Sequence, residues 1–254
     1  MSEQLIKYIF LIITGASFGS FFNVCIYRIP RKESIVFPAS HCPKCGVKIK
    51  PWNNIPIISF IVLGRKCKSC GNAIHWHYLL VEILTPIIFI LIFIRFGFSF
   101  LFVKYIIFFS FGIIIFFIDL FKKIVPDVLS LPLIIIGIVF SLFPSNDITL
   151  LYSISGALLG FIIFLFTAYV FRIILKKDSL GGGDIKLITA IGSFTGIIGM
   201  VFTIFCSSAA ALIILIILKH DREKEFPFGP FLILGTFFYV VAGNYLLNLY
   251  LNLF

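Results

Sequence analysis

Two aspartates and four cysteines carry the residue types and spacings on which chemistry could be built. Cys42-Pro-Lys-Cys45-Gly46 and Cys67-Lys-Ser-Cys70-Gly71 are two CxxC turns, with 21 residues between Cys45 and Cys67. Each turn sets two thiols side by side, and the glycine after each pair can take the positive φ that such a knuckle needs. Two knuckles together make a tetrahedral four-thiolate set, the ligand geometry of structural zinc, with no coordination position left for a reacting water. Lys44, Lys66 and Lys68 stand close by and favour the thiolate form. His41, His75 and His77 flank the pattern, but four cysteines suffice without them. Redox CxxC pairs are the competing reading.

Asp119 follows the apolar run Ile113 to Ile118, and Asp184 follows Gly181-Gly182-Gly183. A carboxylate at the edge of an apolar span is costly, so each is a functional candidate. The glycines let backbone or substrate approach closely and permit strained turns. They also place Asp184 in the first turn of a helix, where the macrodipole favours negative charge. If the two carboxyls meet, they share a proton between them: the charged one takes a proton from water and the protonated one polarises a peptide carbonyl. The residues alone leave a plainer alternative open, with Asp119 as the interfacial end of a helix and Asp184 as an N-cap. Asp127, after Pro126, competes as the first carboxylate or caps the next helix. No HExxH motif and no GK[ST] ending of a phosphate loop occurs, so zinc hydrolysis and nucleotide binding have no support.

The elements that must position these groups are membrane helices. The chain is 60% hydrophobic and 13% charged, too apolar for a soluble domain of 254 residues. Apolar runs at 5–27, 78–96, 100–118, 128–143, 149–175, 184–195, 197–218 and 229–252 give about eight transmembrane helices in an all-α polytopic protein. Residues 1–27 form the first of them, retained and not cleaved as a signal peptide, because its basic cluster follows the span. Residues 28–77 form the one polar segment, a small zinc-binding module, and 78–254 the remaining membrane core.

Orientation follows from basic residues. With the N-terminus outside, Arg28, Arg31, Lys32, Lys44, Lys48, Lys50, Arg65, Lys66, Lys68, Lys122, Lys123, Arg172, Lys176, Lys177, Lys219, Arg222 and Lys224 all lie on the inner face. These are 17 of the 21 Lys and Arg residues. The formal charge of +10 is then an orientation signal and not a nucleic-acid footprint. Lys7, Arg95 and Lys104 fall outside and Lys186 just inside a helix.

At this point the chain resembles the prepilin peptidases, the type 4 leader peptidases of the GxGD aspartyl protease group. The resemblance rests on Gly19-Ser20-Phe21-Phe22-Asn23-Val24 with Tyr27-Arg28-Ile29-Pro30, the cysteine pairs with Asn54-Ile55-Pro56 between them, and Tyr78 with Glu82. It continues through Asp119 with Ile124, Pro126 and Asp127, Gly181-Gly182-Gly183-Asp184-Ile185-Lys186-Leu187, and Pro227-Phe228-Gly229-Pro230. The resemblance implies catalytic aspartates at Asp119 and Asp184, an active-site loop of Gly181, Gly182, Gly183 and Lys186, and zinc on Cys42, Cys45, Cys67 and Cys70. It implies a bacterial inner-membrane enzyme that removes the basic leader of type IV prepilins and pseudopilins after a glycine, at the cytoplasmic face. It further implies N-methylation of the new N-terminus with S-adenosylmethionine, for which Glu82 is a candidate on the methyl-donor side. Gly181 stands where Met is common, and Phe22 where an aliphatic residue is common. The alternatives are a peptidase without methylation, or a membrane transporter or scaffold whose zinc loop binds a partner. A presenilin-like protease shares the GxGD motif but lacks the cysteine loop and the Pro227–Pro230 pattern. The oligomeric state is not readable from the sequence.

Overall fold

The computed structural model describes residues 3–175, 181–217 and 226–251. Lys176, Lys177, Lys219, His220, Arg222 and Lys224 lie outside the described residues, as do the last positions of the helices expected at 197–218 and 229–252. The described fold is all-helical, and five of its helices are long and apolar enough to cross a membrane. Two compact units divide the chain, Met1–Gly97 and Phe98–Phe254.

In the first unit, α1 (Glu3–Arg28) packs along α3 (His77–Phe96). The seam is made by absent side chains. A Cβ at Gly15 would fall 2.6 Å from Pro86 Cα, and one at Gly19 would fall 2.9 Å from Glu82 Cα. Close backbone approach of this kind is how helices associate in lipid, where apolar surfaces gain nothing by leaving the solvent. One turn further on, buried Asn23 donates from Nδ2 to the Tyr78 carbonyl (2.9 Å). Between the two helices the chain runs through two short 3-10 turns (Ile29–Arg31 and Pro51–Asn53) and the five-residue α2 (Ile58–Val62). Arg28, also buried, ties the start of this segment down by donating to the carbonyls of Ser34 (2.9 Å) and Pro38 (2.8 Å).

In the second unit, α4 (Phe100–Lys122), α5 (Asp127–Ser141), α6 (Leu150–Leu175), α7 (Gly182–Ile217) and α8 (Gly229–Leu251) follow in order. The Ser99 side chain caps α4 by accepting from the Phe102 N–H. Lys123 closes its other end at φ 56°, its N–H donating to the Asp119 carbonyl. Asp119 therefore does not end its helix, as the sequence suggested. Leu120, Phe121 and Lys122 carry the helix on by most of a turn before a residue in the left-handed conformation stops it. The separate runs expected at 184–195 and 197–218 are two helical stretches of α7 joined at Gly196, whose φ of 67° and ψ of −168° break the helix there.

Packing on α7 again uses small residues. Gly156 and Gly192 bring α6 and α7 into backbone contact, and the buried Ser153 hydroxyl donates to the Ser193 carbonyl (2.7 Å). Gly137 of α5 lies against Ser193 and Phe194. Phe108, Phe109, Phe140, Phe194 and Phe237 fill the core between α4, α5, α7 and α8.

Candidate active site and metal centre

Asp119 and Asp184 are 65 positions apart in the chain, and the second unit brings them together. Asp119 projects from the last turns of α4 and is 4% exposed. Asp184 sits in the first turn of α7, its N–H donating to the Gly181 carbonyl (3.0 Å). The carboxyl of Asp184 lies within electrostatic reach of the Asp119 charge. The first turn of α7 docks beside the end of α4 because Gly183 has no side chain: a Cβ there would meet Val125 Cβ at 2.7 Å. Of the three glycines Gly183 is the one that close approach requires, since a Cβ at Gly182 would meet nothing within 4 Å.

A third element enters that the sequence flagged only as a motif. The Gly229 N–H, at the start of α8, donates to Asp119 Oδ2 (2.9 Å). A Cβ at Gly229 would meet the same oxygen at 2.7 Å and Leu187 Cδ2 at 3.5 Å. Gly229 therefore touches both carboxylate-bearing helices. The Pro227-Phe228-Gly229-Pro230 pattern was the signal, but its partner lies 110 residues away and no local spacing reveals it.

Asp127 and Lys186 are placed differently. Asp127 is the first residue of α5 and makes no side-chain cap; the cap position is Pro126. Its Oδ1 pairs with Lys186 Nζ at 2.5 Å, on the exposed side. Lys186, two residues beyond Asp184, is thereby tied to the start of α5. The competing carboxylate is engaged elsewhere.

In the first unit the four cysteine sulfurs lie within 4.8 Å of one another. Cys42 Sγ and Cys70 Sγ are 4.0 Å apart, close to the roughly 3.8 Å that tetrahedral coordination with ~2.3 Å zinc–sulfur bonds requires. The two knuckles repeat one design. Gly46 N–H donates to the Cys42 carbonyl (2.9 Å) and Gly71 N–H to the Cys67 carbonyl (2.8 Å), at φ 71° and 69°. Short antiparallel bridges, His41 with Lys48 and Lys66 with Ala73, close each loop. Backbone N–H groups of Cys70 and then Ser69 lower the Cys67 thiol to about 7, while, against the Asn72 backbone N–H, burial and the neighbouring sulfurs push the Cys70 thiol up to about 11, as expected when like groups crowd together without a cation. The geometry and the donor set fit a bound divalent metal of the zinc type.

Glu82 of α3 accepts a hydrogen bond from the Ile57 N–H (2.7 Å). Ile57 has φ 65° and ψ −53°, an unfavourable conformation for a β-branched residue. Glu82 therefore clamps the polar segment onto α3 at a residue in a strained conformation. Nothing in the local spacing of residues 57 and 82 reveals this contact.

Residues 13–96 match the family described as Bacterial Peptidase A24 N-terminal domain. Residues 106–216 match the Type IV leader peptidase family. The chain belongs to the type IV leader peptidase family. It is 32% identical to a prepilin leader peptidase/N-methyltransferase of Neisseria gonorrhoeae, over 91% of this chain and 89% of the relative. The Pseudomonas aeruginosa protein of the same description is 31% identical, over 95% of this chain and 92% of the relative. A type 4 prepilin-like proteins leader peptide-processing enzyme of Escherichia coli is 32% identical, over 88% of this chain and 89% of the relative. No solved structure matches the chain.

Proposed function

We propose that this membrane protein cleaves the basic leader from type IV prepilins and pseudopilins, with Asp119 and Asp184 as the catalytic pair. The observation that carries the reading is their convergence: one buried and one half-buried carboxyl, on helices distant in sequence, within electrostatic reach of each other. One carboxylate takes a proton from water, whose oxygen attacks the scissile carbonyl carbon. The other, carrying a proton, polarises that carbonyl. Breakdown of the tetrahedral intermediate breaks the C–N bond, and a carboxyl returns the proton to the leaving amine. No covalent enzyme intermediate is needed. Gly229 N–H orients Asp119; Gly181, Gly182, Gly183 and Lys186, expected as an active-site loop, are instead the residue before α7 and the first turns of that helix, which carry Asp184.

The same reading includes N-methylation of the new N-terminal amine with S-adenosylmethionine. The names of the relatives above support it. Glu82 is the candidate on the methyl-donor side; because it also clamps Ile57, its substitution has to be read against the metal content of the cysteine module. Zinc on Cys42, Cys45, Cys67 and Cys70 is structural, since four protein ligands close the coordination shell. We place the protein in the bacterial inner membrane, crossing it about eight times, with the N-terminus outside and the module and aspartates at the cytoplasmic face. The distribution of Lys and Arg supports that orientation.

Co-expression with a prepilin that has a basic leader and a Gly-Phe junction tests the reading through the mass of the pilin N-terminus. Wild type is expected to cleave and to add one methyl group. Asp119→Asn and Asp184→Asn are each expected to accumulate uncut prepilin at wild-type protein levels, a loss of at least about a thousandfold. Normal processing by either variant would remove the dyad from the mechanism. Cleavage without the added methyl would favour a peptidase alone.

A further inference from the structure

Lys104 is the most deeply buried charged side chain among the described residues, with its side chain 0% exposed. It lies one turn into α4, at the end opposite Asp119. Its ammonium donates to Asn146 Oδ1 (2.9 Å) and pairs with Asp147 Oδ1. The Tyr105 hydroxyl, on a side chain 2% exposed, donates to the other oxygen of Asp147. Asn146 is held in turn by donating from Nδ2 to the Ile148 carbonyl (3.0 Å). Tyr239 of α8 lies within electrostatic reach of Asp147. One polar cluster therefore joins α4 to the connection between α5 and α6, and the proposed chemistry uses none of it.

The physical need for such a cluster is visible in the α4 sequence. From Ile106 to Ile118 nearly every position is Ile or Phe. A shift of the helix by one turn, about 5.4 Å, would exchange Ile and Phe for Ile and Phe at most of these positions, Gly112 against Ile233 being an exception. In lipid no hydrophobic penalty opposes that slide. A buried ion pair adds little net stability, and its best-attested use is to fix register. Asp119 follows Lys104 by 15 positions on the same rigid helix, about 22 Å along the axis. Whatever holds Lys104 in place along the axis also holds Asp119 in place against Gly229 and Asp184.

We propose that Lys104, Asp147, Asn146 and Tyr105 form a register pin for α4, and that Lys104 and Asp147 are positioning residues for the aspartate pair. The proposal rests on the peptidase reading above for its kinetic consequence, but its structural consequence can be read alone.

The decisive variant is Lys104→Met combined with Asp147→Asn, which removes both charges together and leaves no buried unpaired ion. Its melting temperature in detergent is expected to stay within a few degrees of wild type. Its kcat for prepilin cleavage is expected to fall by about 10- to 100-fold, since an ångström of misplacement costs that order, while KM changes less than twofold. Lys104→Arg, which keeps the charge and the reach, is expected to stay within about twofold of wild type in kcat. Register is read separately by a disulfide between Gly112→Cys and Ile233→Cys, positions in van der Waals contact across α4 and α8. Cross-linking in membranes is expected to be efficient on the wild-type background and to drop in the double variant. A stable double variant with wild-type kcat and wild-type cross-linking would overturn the pin. If the double variant does not accumulate, Lys104→Met alone breaks the pin and leaves Asp147, 32% exposed, bound to the Tyr105 hydroxyl; unchanged kcat and cross-linking there would overturn it equally. A wild-type protein that fails to cleave would sink the peptidase reading, while the cross-link would still decide the pin.

Discussion

Replacing Gly229 by alanine should damage catalysis with little effect on stability. The added Cβ would stand 2.7 Å from Asp119 Oδ2 and 3.3 Å from its Cγ. A carbon and an oxygen do not pack below about 3.2 Å, so the carboxylate must retreat by roughly 0.5–0.7 Å or the start of α8 must lift. Asp119 is 4% exposed, so its carboxylate can shift only among the helices that enclose it. The hydrogen bond from Gly229 N–H would lengthen or bend at the same time. A displacement of about 1 Å at a reacting group costs on the order of 10²-fold, so half of that predicts a kcat loss of about tenfold. KM should hold, because the position contacts the carboxylate and not an open surface. Stability should change little, since alanine is the better helix former at the first helical position. The assay is cleavage of purified prepilin in detergent across substrate concentrations, with a melting curve on the same sample. Leu234→Ala is the control, because its side chain is 51% exposed on the same helix and away from the aspartates; it should stay within about twofold of wild type. Folded Gly229→Ala protein with wild-type kcat would show that the Asp119–Gly229 contact does not matter to the chemistry, and the reasoning would fail.

Two further predictions concern the metal module and the helix seam. Cys67→Ser should lower bound zinc below one per chain by elemental analysis and expose the 32–76 segment to limited proteolysis, since structural zinc supplies on the order of 10 kcal/mol to such small folds; full metal loading and unchanged protease resistance would exclude the four-thiolate site. Gly192→Ala should lower the melting temperature and prepilin cleavage together, because its Cβ would meet the Gly156 carbonyl oxygen at 2.3 Å, and prying α6 from α7 costs about 2 kcal/mol or more; an unchanged melting curve would mean the seam is looser than described.

Much of this protein was legible because the signals are local or compositional. Burying so many Ile, Leu and Phe side chains needs a bilayer, so the membrane class follows from content alone. The helices at 100–122, 150–175 and 182–217 lie where unbroken apolar runs put them, since a backbone in lipid has no other way to satisfy its amides. Even the break at Gly196 falls between the two runs read from the sequence. The cysteine knuckles were readable for a similar reason: a CxxC turn followed by glycine closes on itself within six residues. The motif positions of Asp119 and Asp184 were readable through family resemblance, not through any spacing that physics imposes.

Contacts between distant positions needed the tertiary structure. The sequence left both Asp119 and Asp127 as partners for Asp184. The fold buries Asp119 near Asp184 and ties Asp127 to Lys186 on the exposed side. It also gave Gly229 a partner, gave Gly183 a reason to be glycine in Val125, and showed Lys104, read from the sequence only as a basic residue on the outer side, to be held in a buried ion pair. Sequence composition determined what must be buried and which short segments could fold on themselves. Pairing across 40 to 110 residues depends on how helices lie against one another, and a chain of nearly interchangeable Ile and Phe positions does not encode that arrangement in any local pattern.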